Sequence, residues 1–397
     1  MKILIAGGGI GGLTATLCCL HFGHEVHVFE QAAELTDVGA GIQIPPNAMK
    51  VFGALGIGVQ ISKNAFRPDT IEARMGTNGR EIFNIPLGDA AIQRWNAPYL
   101  HIHRADYISA LKDALIERAP DAIKLGASAA TYRQTKTGIT LLLKDGQEVS
   151  GDILIGADGI KSTLREQMLG ADRPRFTGNV AWRAVVPAAA LGADIPNPTA
   201  CAWMGRGRHA VTYRLRRGEL VNFVGVVERE DWTEEGWAIA GDPAELRKDF
   251  ENWHPSISAI LNTVQPDQLF KWALFDRAPL ERWTNGRAVL LGDAAHPMLP
   301  FLAQGAAMAA EDAWVLAQEI SKPDRAIEVS LAAYQTRRLT RCSRVQAASR
   351  ANMKTFHQRT NLGRLKTYGP MWLAGKALPS AVHRRMDWLY GRDVTRG

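Results

Sequence analysis

The sequence predicts an α/β protein in which a Rossmann-like domain, assembled from separated stretches of chain, carries an inserted domain of mainly antiparallel β-strands and precedes C-terminal helices. Three observations support this prediction. An apolar stretch, residues 2–6, runs into a glycine loop and then a helical pattern. A second apolar stretch, residues 288–291, ends in Gly292-Asp293 much later in the chain. Between them, residues 180–227 alternate polar and apolar side chains, as antiparallel strands do.

The glycine loop that follows the first strand has the spacing of a dinucleotide-binding turn. Gly7 permits a tight turn, Gly9 lets a diphosphate approach the backbone, and Gly12 lets the helix and the sheet pack closely. The diphosphate then lies at the positive end of the following helix. Glu30 ends the second predicted strand, where a carboxylate can accept both ribose hydroxyls of an adenosine. This loop alone does not separate NAD from FAD.

Periodicity and turn residues predict the other elements. Asn47 is placed to cap a helix, and Asn78-Gly79 indicates a hairpin. Strands are predicted over residues 2–6, 25–30, 71–75, 81–85, 131–134, 139–144, 147–155, 210–215, 220–227 and 288–291. Helices are predicted over residues 11–22, 47–55, 104–118, 244–253, 256–263, 305–320 and 328–360.

These elements divide the 397 residues into three parts, and that length is sufficient for one interrupted domain with an insertion. The predicted division assigns residues 1–70, 100–175 and 270–325 to the nucleotide-binding domain, residues 71–99 and 176–269 to a substrate domain, and residues 326–397 to a C-terminal helical segment. The oligomeric state is expected to be a monomer or a homodimer.

Composition is typical of a globular protein, and the use of cysteine favours the cytoplasm. Hydrophobic residues make up 46% and charged residues 22% of the chain, which is ordinary for a globular protein. No apolar run of about 18 residues exists, so no membrane span is expected. The N-terminus reads as a first strand and not as a signal peptide. The four cysteines have no CxxC spacing, which favours a reducing compartment.

Positive charge is concentrated near the C-terminus. The chain has a net charge of +7, and residues 330–397 carry 14 Lys/Arg against 2 Asp/Glu. Such a segment can bind nucleic acid or anionic lipid. The favoured interpretation is a solvated helix face that carries Arg337, Arg338, Arg341 and Arg344, because aromatic residues and glycines are not interleaved with the charges. No nucleic-acid partner and no membrane partner are therefore expected.

Two aspartates follow predicted strands in glycine-rich turns. Asp158 lies in Gly156-Ala157-Asp158-Gly159, and Asp293 follows Gly292. A carboxylate at Asp293 can accept hydrogen bonds from the sugar-alcohol chain of a flavin. Either aspartate alone is equally well explained as a helix N-cap. The two aspartates together with the glycine loop favour FAD as the dinucleotide.

At this point the chain resembles the single-component FAD-dependent aromatic hydroxylases, a group that includes salicylate hydroxylase, 3-hydroxybenzoate 6-hydroxylase and 6-hydroxynicotinate 3-monooxygenase. The resemblance covers essentially the whole chain. Its motifs, in the expected order, are the glycine loop with Glu30, Gly39-Ala40-Gly41, His103-Arg104, the segment 156–162, and the segments 292–297 and 304–308.

The resemblance implies a tightly but non-covalently bound FAD and an NADH or NADPH that binds only transiently, since no second glycine loop exists for it. Arg104 would face the FAD phosphates, Asp293 the ribityl chain, and Asp158 both cofactors. The N–H groups of Ala307 and Met308 would stabilise negative charge on the reduced flavin. The implied FAD-binding residues are Gly7, Gly9, Gly12, Glu30, Gln43, Arg104, Asp158, Asp293, Pro300, Gly305, Ala306, Ala307 and Met308.

The implied reaction is hydride transfer from NAD(P)H to FAD, followed by reaction with O₂ to a flavin C4a-hydroperoxide that attacks an electron-rich ring. A base near the substrate hydroxyl would supply the electron density. His209 lies where the resembling enzymes carry an active-site histidine, and Tyr213 is expected on the same strand face. A surface histidine beside Arg206 and Arg208 is an equally open interpretation of His209.

The expected substrate is a small aromatic hydroxy acid of salicylate type, with or without loss of the carboxylate. Arg183 is a candidate partner for that carboxylate, and an ordinary salt bridge is the alternative. The rival hypothesis is 3-hydroxylation of a pyridine such as 6-hydroxynicotinate. Gln43 and Phe301 weaken it, because pyridine-hydroxylating relatives tend to carry histidines there.

Two other classes of protein are alternatives to this interpretation. A plain NAD dehydrogenase leaves Gly292-Asp293 without a role. A non-catalytic protein that binds flavin or nucleic acid would use the basic C-terminal segment. No set of His, Cys and carboxylate residues has metal-ligand spacing, so no metal is expected.

Overall fold

The protein is described here by a computed structural model covering residues 1–35, 40–171, 174–229 and 239–396. Its strands are β1 (Lys2–Ala6), β2 (Glu25–Phe29), β3 (Gly41–Ile44), β4 (Thr70–Met75), β5 (Glu81–Pro86), β6 (Leu100–His103), β7 (Ile123–Lys124), β8 (Ala129–Gln134), β9 (Ile139–Leu143), β10 (Glu148–Gly151), β11 (Ile153–Gly156), β12 (Arg175–Pro187), β13 (Ala200–Met204), β14 (Arg208–Leu215), β15 (Leu220–Glu228), β16 (Ile239–Ala240), β17 (Phe270–Asp276), β18 (Thr284–Asn285) and β19 (Ala288–Leu290).

Its α-helices are α1 (Ile10–His21), α2 (Pro46–Ala54), α3 (Gly58–Ser62), α4 (Gly88–Trp95), α5 (Arg104–Arg118), α6 (Thr163–Leu169), α7 (Pro243–Asp249), α8 (Pro255–Thr263), α9 (Gly305–Ile320), α10 (Ile327–Phe356), α11 (Asn361–Ala377), α12 (Pro379–Arg384) and α13 (Asp387–Tyr390). Among the described residues, no helix is both long and apolar enough to cross a membrane. All four cysteines lie in the described part and are buried free thiols.

A mostly parallel sheet brings the three glycine motifs to one edge. Its strand order is β18-β19-β11-β1-β2-β7, and β1, β2, β7, β11 and β19 run parallel. The carboxyl ends of parallel strands meet at the same edge of a sheet, which is where α/β folds bind their ligands. The loops that begin at Gly7, Ala157 and Leu291 therefore lie side by side, although the chain between them is long.

A second sheet has eight strands in the order β16-β17-β12-β15-β14-β13-β4-β5. Neighbouring strands are antiparallel except for β13 and β4. On one face Trp182 and Phe223 pack with Leu246 of α7 and Ile257 of α8. The other face, which includes Ala181 and Val226, packs against the segment that follows Asp293, through Leu299 and Phe301. The second sheet therefore faces the edge of the first.

The α/β fold class is confirmed, and the predicted hairpin around Asn78-Gly79 forms as β4 and β5. β17 hydrogen-bonds with β12 in the eight-stranded sheet, whereas the predicted division assigned residues 270–325 to the nucleotide-binding part. Judged by sheet pairing alone, the boundary between the substrate domain and the last part of the nucleotide-binding domain lies after Asp276. The predicted strand over residues 147–155 forms as two strands, β10 and β11, which belong to different sheets.

The predicted capping role of Asn47 is wrong. Pro45 is the N-cap residue of α2, and Asn47 lies buried within the first turn. Its side-chain amide donates to Gln304 Oε1 at 3.2 Å and to Glu311 Oε1 at 2.7 Å. Asn47 therefore joins α2 to the start of α9 instead of capping its own helix.

The predicted solvated arginine face of α10 holds for Arg344, which is exposed, but is wrong for Arg338 and Arg341. Arg338 is 1% exposed and donates to Asp312 Oδ1 at 2.6 Å and to Glu311 Oε2 at 2.5 Å. Arg341 donates to both carboxylate oxygens of Glu311. The positive charge of α10 is thus used partly to neutralise two buried carboxylates on α9, which fixes the two helices against each other.

Candidate active site

The glycine loop has the close contacts that its predicted role requires. Gly7 has φ +104°, and a Cβ there would lie 2.3 Å from the Ala157 carbonyl oxygen. A Cβ on Gly12 would lie 1.9 Å from the Gly7 carbonyl oxygen. A Cβ on Gly9, by contrast, would have no heavy atom of the described residues within 4 Å. The turn is therefore closed at Gly7 and Gly12 and open at Gly9, where a diphosphate would approach.

Glu30 is held at the rim of this loop. Its Oε2 accepts a hydrogen bond from the Gly8 N–H at 2.5 Å, and its Oε1 accepts one from the Ala32 N–H at 2.8 Å. The carboxylate is half-buried. This position next to the diphosphate site is the one that binding of the adenosine ribose requires.

Asp158 is not the N-cap residue of α6, a position that Ser162 holds, but it binds the first turn of that helix. Its Oδ2 accepts hydrogen bonds from the Leu164 N–H at 3.2 Å and from the Thr163 hydroxyl at 3.3 Å. Its Oδ1 is buried and has no hydrogen-bond partner among the described residues. A buried carboxylate oxygen without a partner is costly, so Oδ1 fits a donor supplied by a cofactor.

Asp293 lies at the same edge, after Gly292 with φ +60°. Its side chain keeps solvent-exposed surface, yet the protein around it is dense enough that desolvation raises the carboxyl pKa. The charges of His296, Arg104 and Arg165 act in the opposite direction on that pKa. Asp293 therefore sits in a recess beside Arg104, as a ribityl-binding carboxylate would.

The N-terminus of α9 points its first amides toward this recess. A Cβ on Gly305 would lie 3.9 Å from Asp293 Oδ1, and the N-cap residue Gln304 makes no side-chain cap. The Met308 N–H donates to the Gln304 carbonyl at 2.8 Å. The predicted role of the Met308 N–H is therefore corrected, because that group belongs to the helix. The amides of Gly305, Ala306 and Ala307 precede the first helical hydrogen bond and are placed for an anion.

Three side chains of α10 hold the segment that leads to α9. No sequence motif pointed to these three residues. Gln346 donates to the Pro297 carbonyl at 2.8 Å, Ser349 to the Leu299 carbonyl at 2.6 Å, and Asn352 to the Phe301 carbonyl at 3.0 Å. The donors recur every three residues on α10, and the acceptors recur every two residues in a segment that ends in the 3-10 turn Pro300–Leu302. Pro300, between two of the held carbonyls, is exposed.

His209 and Tyr213 lie on the face of the second sheet that looks toward this segment. His209 is 1% exposed, and its ring packs against Phe301 and Phe356 with centroid distances of 5.3 and 5.0 Å. The interpretation of His209 as a surface histidine is therefore wrong. Burial, and then the neighbouring His357, lower the pKa of His209 well below its ordinary value, so the ring is neutral at pH 7 and one of its nitrogens is a hydrogen-bond acceptor.

Tyr213 marks the contact between the eight-stranded sheet and β3, which pairs with β6 in a separate two-stranded sheet. A Cβ on Gly41 would lie 2.5 Å from Tyr213 Cε2, and the Gly41 N–H donates to Asn222 Oδ1 at 2.8 Å. Burial raises the pKa of the Tyr213 hydroxyl, which keeps it protonated as a hydrogen-bond donor. Gly39, the first residue of this glycine motif, lies outside the described residues.

Gln43 borders the same space from β3. Its Oε1 accepts a hydrogen bond from the Tyr99 hydroxyl at 2.5 Å. His101, its partner across the β3–β6 ladder, packs 4.8 Å from the Tyr213 ring, and burial lowers the His101 pKa to about 3. His101 is thus a neutral packing residue.

Arg183 lies on the sheet face that carries His209. Ala181, two residues before it on β12, packs with Phe301, and side chains two apart share a face. The Arg183 guanidinium lies over the rings of Phe270 and Trp272, at 5.3 and 5.6 Å. Such stacking holds the planar group in a fixed orientation.

In the part of the chain that the structure describes, one trio of possible metal ligands lies close together, a proximity that sequence spacing could not predict. Ligand atoms of His296, Asp312 and Cys342 lie within 4.8 Å of one another. Arg338, which donates to Asp312, also has Nη2 only 3.5 Å from Cys342 Sγ. The Arg338 guanidinium already supplies a positive charge beside these three side chains. The structure therefore gives His296 a structural role. That no metal binds stays a prediction.

A family profile described as an FAD-binding domain matches residues 1–349. The chain belongs to this family. It is 35% identical to the 3-amino-4-hydroxybenzoate 2-monooxygenase PtmB3 of Streptomyces platensis over 99% of this chain and 96% of that one. It is also 35% identical to the 6-hydroxynicotinate 3-monooxygenase of Bordetella bronchiseptica, over 99% of this chain and 95% of that one.

A solved structure gives the same result for the fold. The structure of a salicylate hydroxylase in complex with its substrate superposes with a TM-score of 0.82 at 26% identity, covering 100% of this chain and 96% of that chain. The resemblance to the single-component FAD-dependent aromatic hydroxylases is confirmed. The chain is an FAD-dependent aromatic monooxygenase, and the dehydrogenase and non-catalytic alternatives are not supported.

Proposed function

We propose that this monooxygenase uses NAD(P)H and O₂ to hydroxylate a small aromatic hydroxy acid of salicylate type on the sheet face that carries His209 and Tyr213. The observation that carries the proposal is the buried, neutral His209 opposite the segment that ends at Phe301. A base in this place can take the proton of a substrate hydroxyl and so raise the electron density of the ring.

The sheet register supports a flat site of the right size. His209 pairs with Val226, and Tyr213 pairs with Asn222, so Val211 and Val224 lie in the row between them. Arg183 extends this middle row on β12. Since neighbouring strands lie about 4.8 Å apart, Arg183 starts roughly 10 Å from Val211, a span that an aromatic acid can bridge.

These positions suggest a role for each side chain. The valines form an apolar floor for the ring, and Phe301 forms a wall. His209 would accept the proton of the hydroxyl, and Tyr213 would donate a hydrogen bond to the substrate. Arg183, with its guanidinium fixed by two aromatic rings, would bind the carboxylate.

FAD, when bound, supplies the redox chemistry, with NAD(P)H as the reductant and O₂ as the source of the transferred oxygen. The chain would hold its adenosine diphosphate half with the glycine loop and Glu30, and its ribityl chain with Asp293. The amides of Gly305–Ala307 would stabilise negative charge at the other end. NAD(P)H would bind transiently at the surface.

A panel of acids tests this proposal. FAD-loaded enzyme is mixed with NADH or NADPH and, in turn, salicylate, 3-hydroxybenzoate, 3-amino-4-hydroxybenzoate and 6-hydroxynicotinate. We expect at least one acid to accelerate nicotinamide oxidation and to yield a product with one added oxygen atom, or with oxygen in place of the carboxylate. Product mass and peroxide are measured together, because uncoupled oxidation yields peroxide. Equal oxidation rates with and without every acid would contradict the proposal.

The pyridine hypothesis is retained as the second candidate because of the 35% identity to 6-hydroxynicotinate 3-monooxygenase. Gln43 and Phe301 weigh against it, since neither side chain can exchange a proton with a ring nitrogen as a histidine would. Preferential product formation from 6-hydroxynicotinate would favour it. A monomer or homodimer and a cytoplasmic location remain predictions.

A further inference from the structure

His209 begins a continuous chain of hydrogen bonds that leads away from the candidate active site. Its Nδ1 lies 2.6 Å from Nε2 of His357, the residue that follows α10. His357 Nδ1 lies 3.1 Å from Glu228 Oε1 at the end of β15. Glu228 Oε2 in turn accepts a hydrogen bond from Arg359 Nε at 2.6 Å. Each group in this series can pass a proton to the next, as far as Glu228.

Exposure rises along the series. His209 is 1% exposed and His357 5%, whereas 24% of the Glu228 side chain is exposed. Glu228 also lines an open cleft of about 760 Å³ at the end of β15. Other residues around this cleft are Arg206, Arg208, Lys248, Asp249 and Arg359. Glu228 is therefore the point at which the buried histidines reach solvent.

The surroundings of the His209 and His357 rings disfavour an added positive charge. A proton that His209 takes up therefore needs a path to solvent. Phe301 and Phe356 pack on His209, and its cross-strand neighbours Met204 and Val226 are apolar. The charged groups of the series are Glu228 and Arg359, which act on His357 in opposite directions. Burial and the proximity of His357 lower the pKa of His209, so a second proton on this ring is unfavourable.

We propose that His357 and Glu228 form a proton path that carries the substrate hydroxyl proton from His209 to solvent. The inference rests on the proposed function of His209 as the base. The substrate O–H bond breaks, and its proton binds Nε2 of His209 while the Nδ1 proton moves to His357 Nε2. The Nδ1 proton of His357 then moves to Glu228 and on to water. Return of a proton to the product oxygen along the same path restores both tautomers, and no oxidant or reductant is needed.

In this account His209 touches the substrate, whereas His357 is a positioning and relay residue. A merely structural His357 would support His209 by packing alone. The two roles differ in their response to a small diffusible base, because only a proton carrier is replaced by one. Removal of the His357 ring would leave room for one imidazole next to Glu228, which itself lines an open cleft of about 760 Å³.

The test compares His357→Ala and His357→Gln with the control His254→Asn. His254 lies on the opposite face of the sheet, against Trp203, and caps α8, a role that asparagine preserves. Flavin content, thermal midpoint and salicylate affinity are measured first. We expect flavin content and salicylate affinity to be close to those of the unaltered enzyme in all three variants, and the thermal midpoint to fall in His357→Ala, whose missing ring leaves a buried cavity.

The hydroxylation rate is then measured against pH with the panel acid that gives most product. We expect both His357 variants to lose about 10²-fold, the lower end of the usual effect of a general acid or base, and to recover partly as hydroxide rises. Added imidazole should restore His357→Ala and leave His357→Gln slow. Unchanged hydroxylation in His357→Ala, or a loss that imidazole does not reverse, would overturn the proposal. Glu228→Gln gives a second measurement, with a smaller expected loss because water can replace the carboxylate.

A measurement without NAD(P)H separates this proposal from the proposed function. An indicator dye in weak buffer follows proton release when salicylate binds to the FAD-loaded enzyme. Slower release in His357→Ala than in His254→Asn supports the path even when no product forms, and in that case only the proposed function fails. Product formation with equal release rates in both variants overturns the path and leaves the proposed function intact.

Discussion

Replacing Arg338 by methionine tests whether the buried charges between α9 and α10 stabilise the protein. The substitution removes the guanidinium and keeps an unbranched apolar chain. Removing one partner of a buried ion pair costs about 3–5 kcal/mol, because the other charge is left uncompensated. Glu311 would still be bound by Arg341 and Asn47, and Asp312 by His296 at 2.5 Å. We therefore expect a loss near the lower end, about 3 kcal/mol.

Denaturant and thermal unfolding of the FAD-loaded protein measure this loss. With an unfolding entropy of about 2.1 cal/mol/K per residue, a chain of 397 residues should show a midpoint lower by roughly 3–4 °C. Arg344→Met is the matched control on the same helix, because Arg344 is exposed and lies 4.1 Å over the Trp388 ring. An exposed contact of this kind contributes about 0.5–1 kcal/mol. Equal stability of the two variants would refute the reasoning.

The pKa shifts of Asp312 and His296 determine how this stabilisation changes with pH. Despite desolvation, which raises it, the charges of His296 and Arg338 lower the pKa of Asp312 to about 2. Since the unfolded value is about 3.9, this stabilisation is complete above pH 4 and disappears as pH falls toward 2. The pKa of His296 is raised, so its contribution is complete below about pH 6.5 and is lost as pH rises through the folded value. The difference between Arg338→Met and the unaltered protein should therefore shrink in acid below pH 4.

Three further substitutions test the candidate active site. Asp293→Ala should yield largely colourless apoprotein on purification, and full flavin absorbance would contradict its assignment to the ribityl chain. His209→Gln should keep its flavin while product formation falls about 10²–10⁴-fold, and an unchanged rate would mean that His209 is not the base. Arg183→Met should raise KM for the acid by about 10–100-fold, since hydrogen bonds to charged groups contribute roughly 1.5–3 kcal/mol. The same variant should leave KM for the corresponding phenol without a carboxylate unaltered, and equal changes for both compounds would exclude carboxylate binding.

The elements that sequence predicted well are those whose signals are local. The helices over residues 104–118 and 305–320 have the predicted bounds, because apolar periodicity is a local signal. The glycine loop at Gly7 is also predicted from local sequence. In the structure, the positive φ of Gly7 and the close approach of the Ala157 carbonyl oxygen both require glycine there. The parallel sheet then follows from the repeated pattern of an apolar strand before a glycine loop.

The features that sequence missed depend on partners distant in the chain. Arg338 has the helical spacing of a solvated residue, and only the arrival of Glu311 and Asp312 on α9 makes its burial favourable. His209 follows Arg206 and Arg208, which left a surface position open, yet both faces of β14 are covered and His209 is buried against Phe301. Asn47 is a good capping residue that instead meets Gln304 and Glu311, because Pro45 already occupies the cap position.

Helix α10 connects the segment of residues 297–301, which follows Asp293, to the proposed proton path. Ser349 and Asn352 hold the carbonyls of Leu299 and Phe301, and His357 follows at the end of the same helix. Any displacement of the C-terminal part of α10 must therefore move the Phe301 wall and the partner of His209 together. The family profile ends at residue 349, before Asn352 and His357. Substitutions after that residue can thus alter the shape of the substrate site and its proton exit while leaving every flavin-binding motif unchanged.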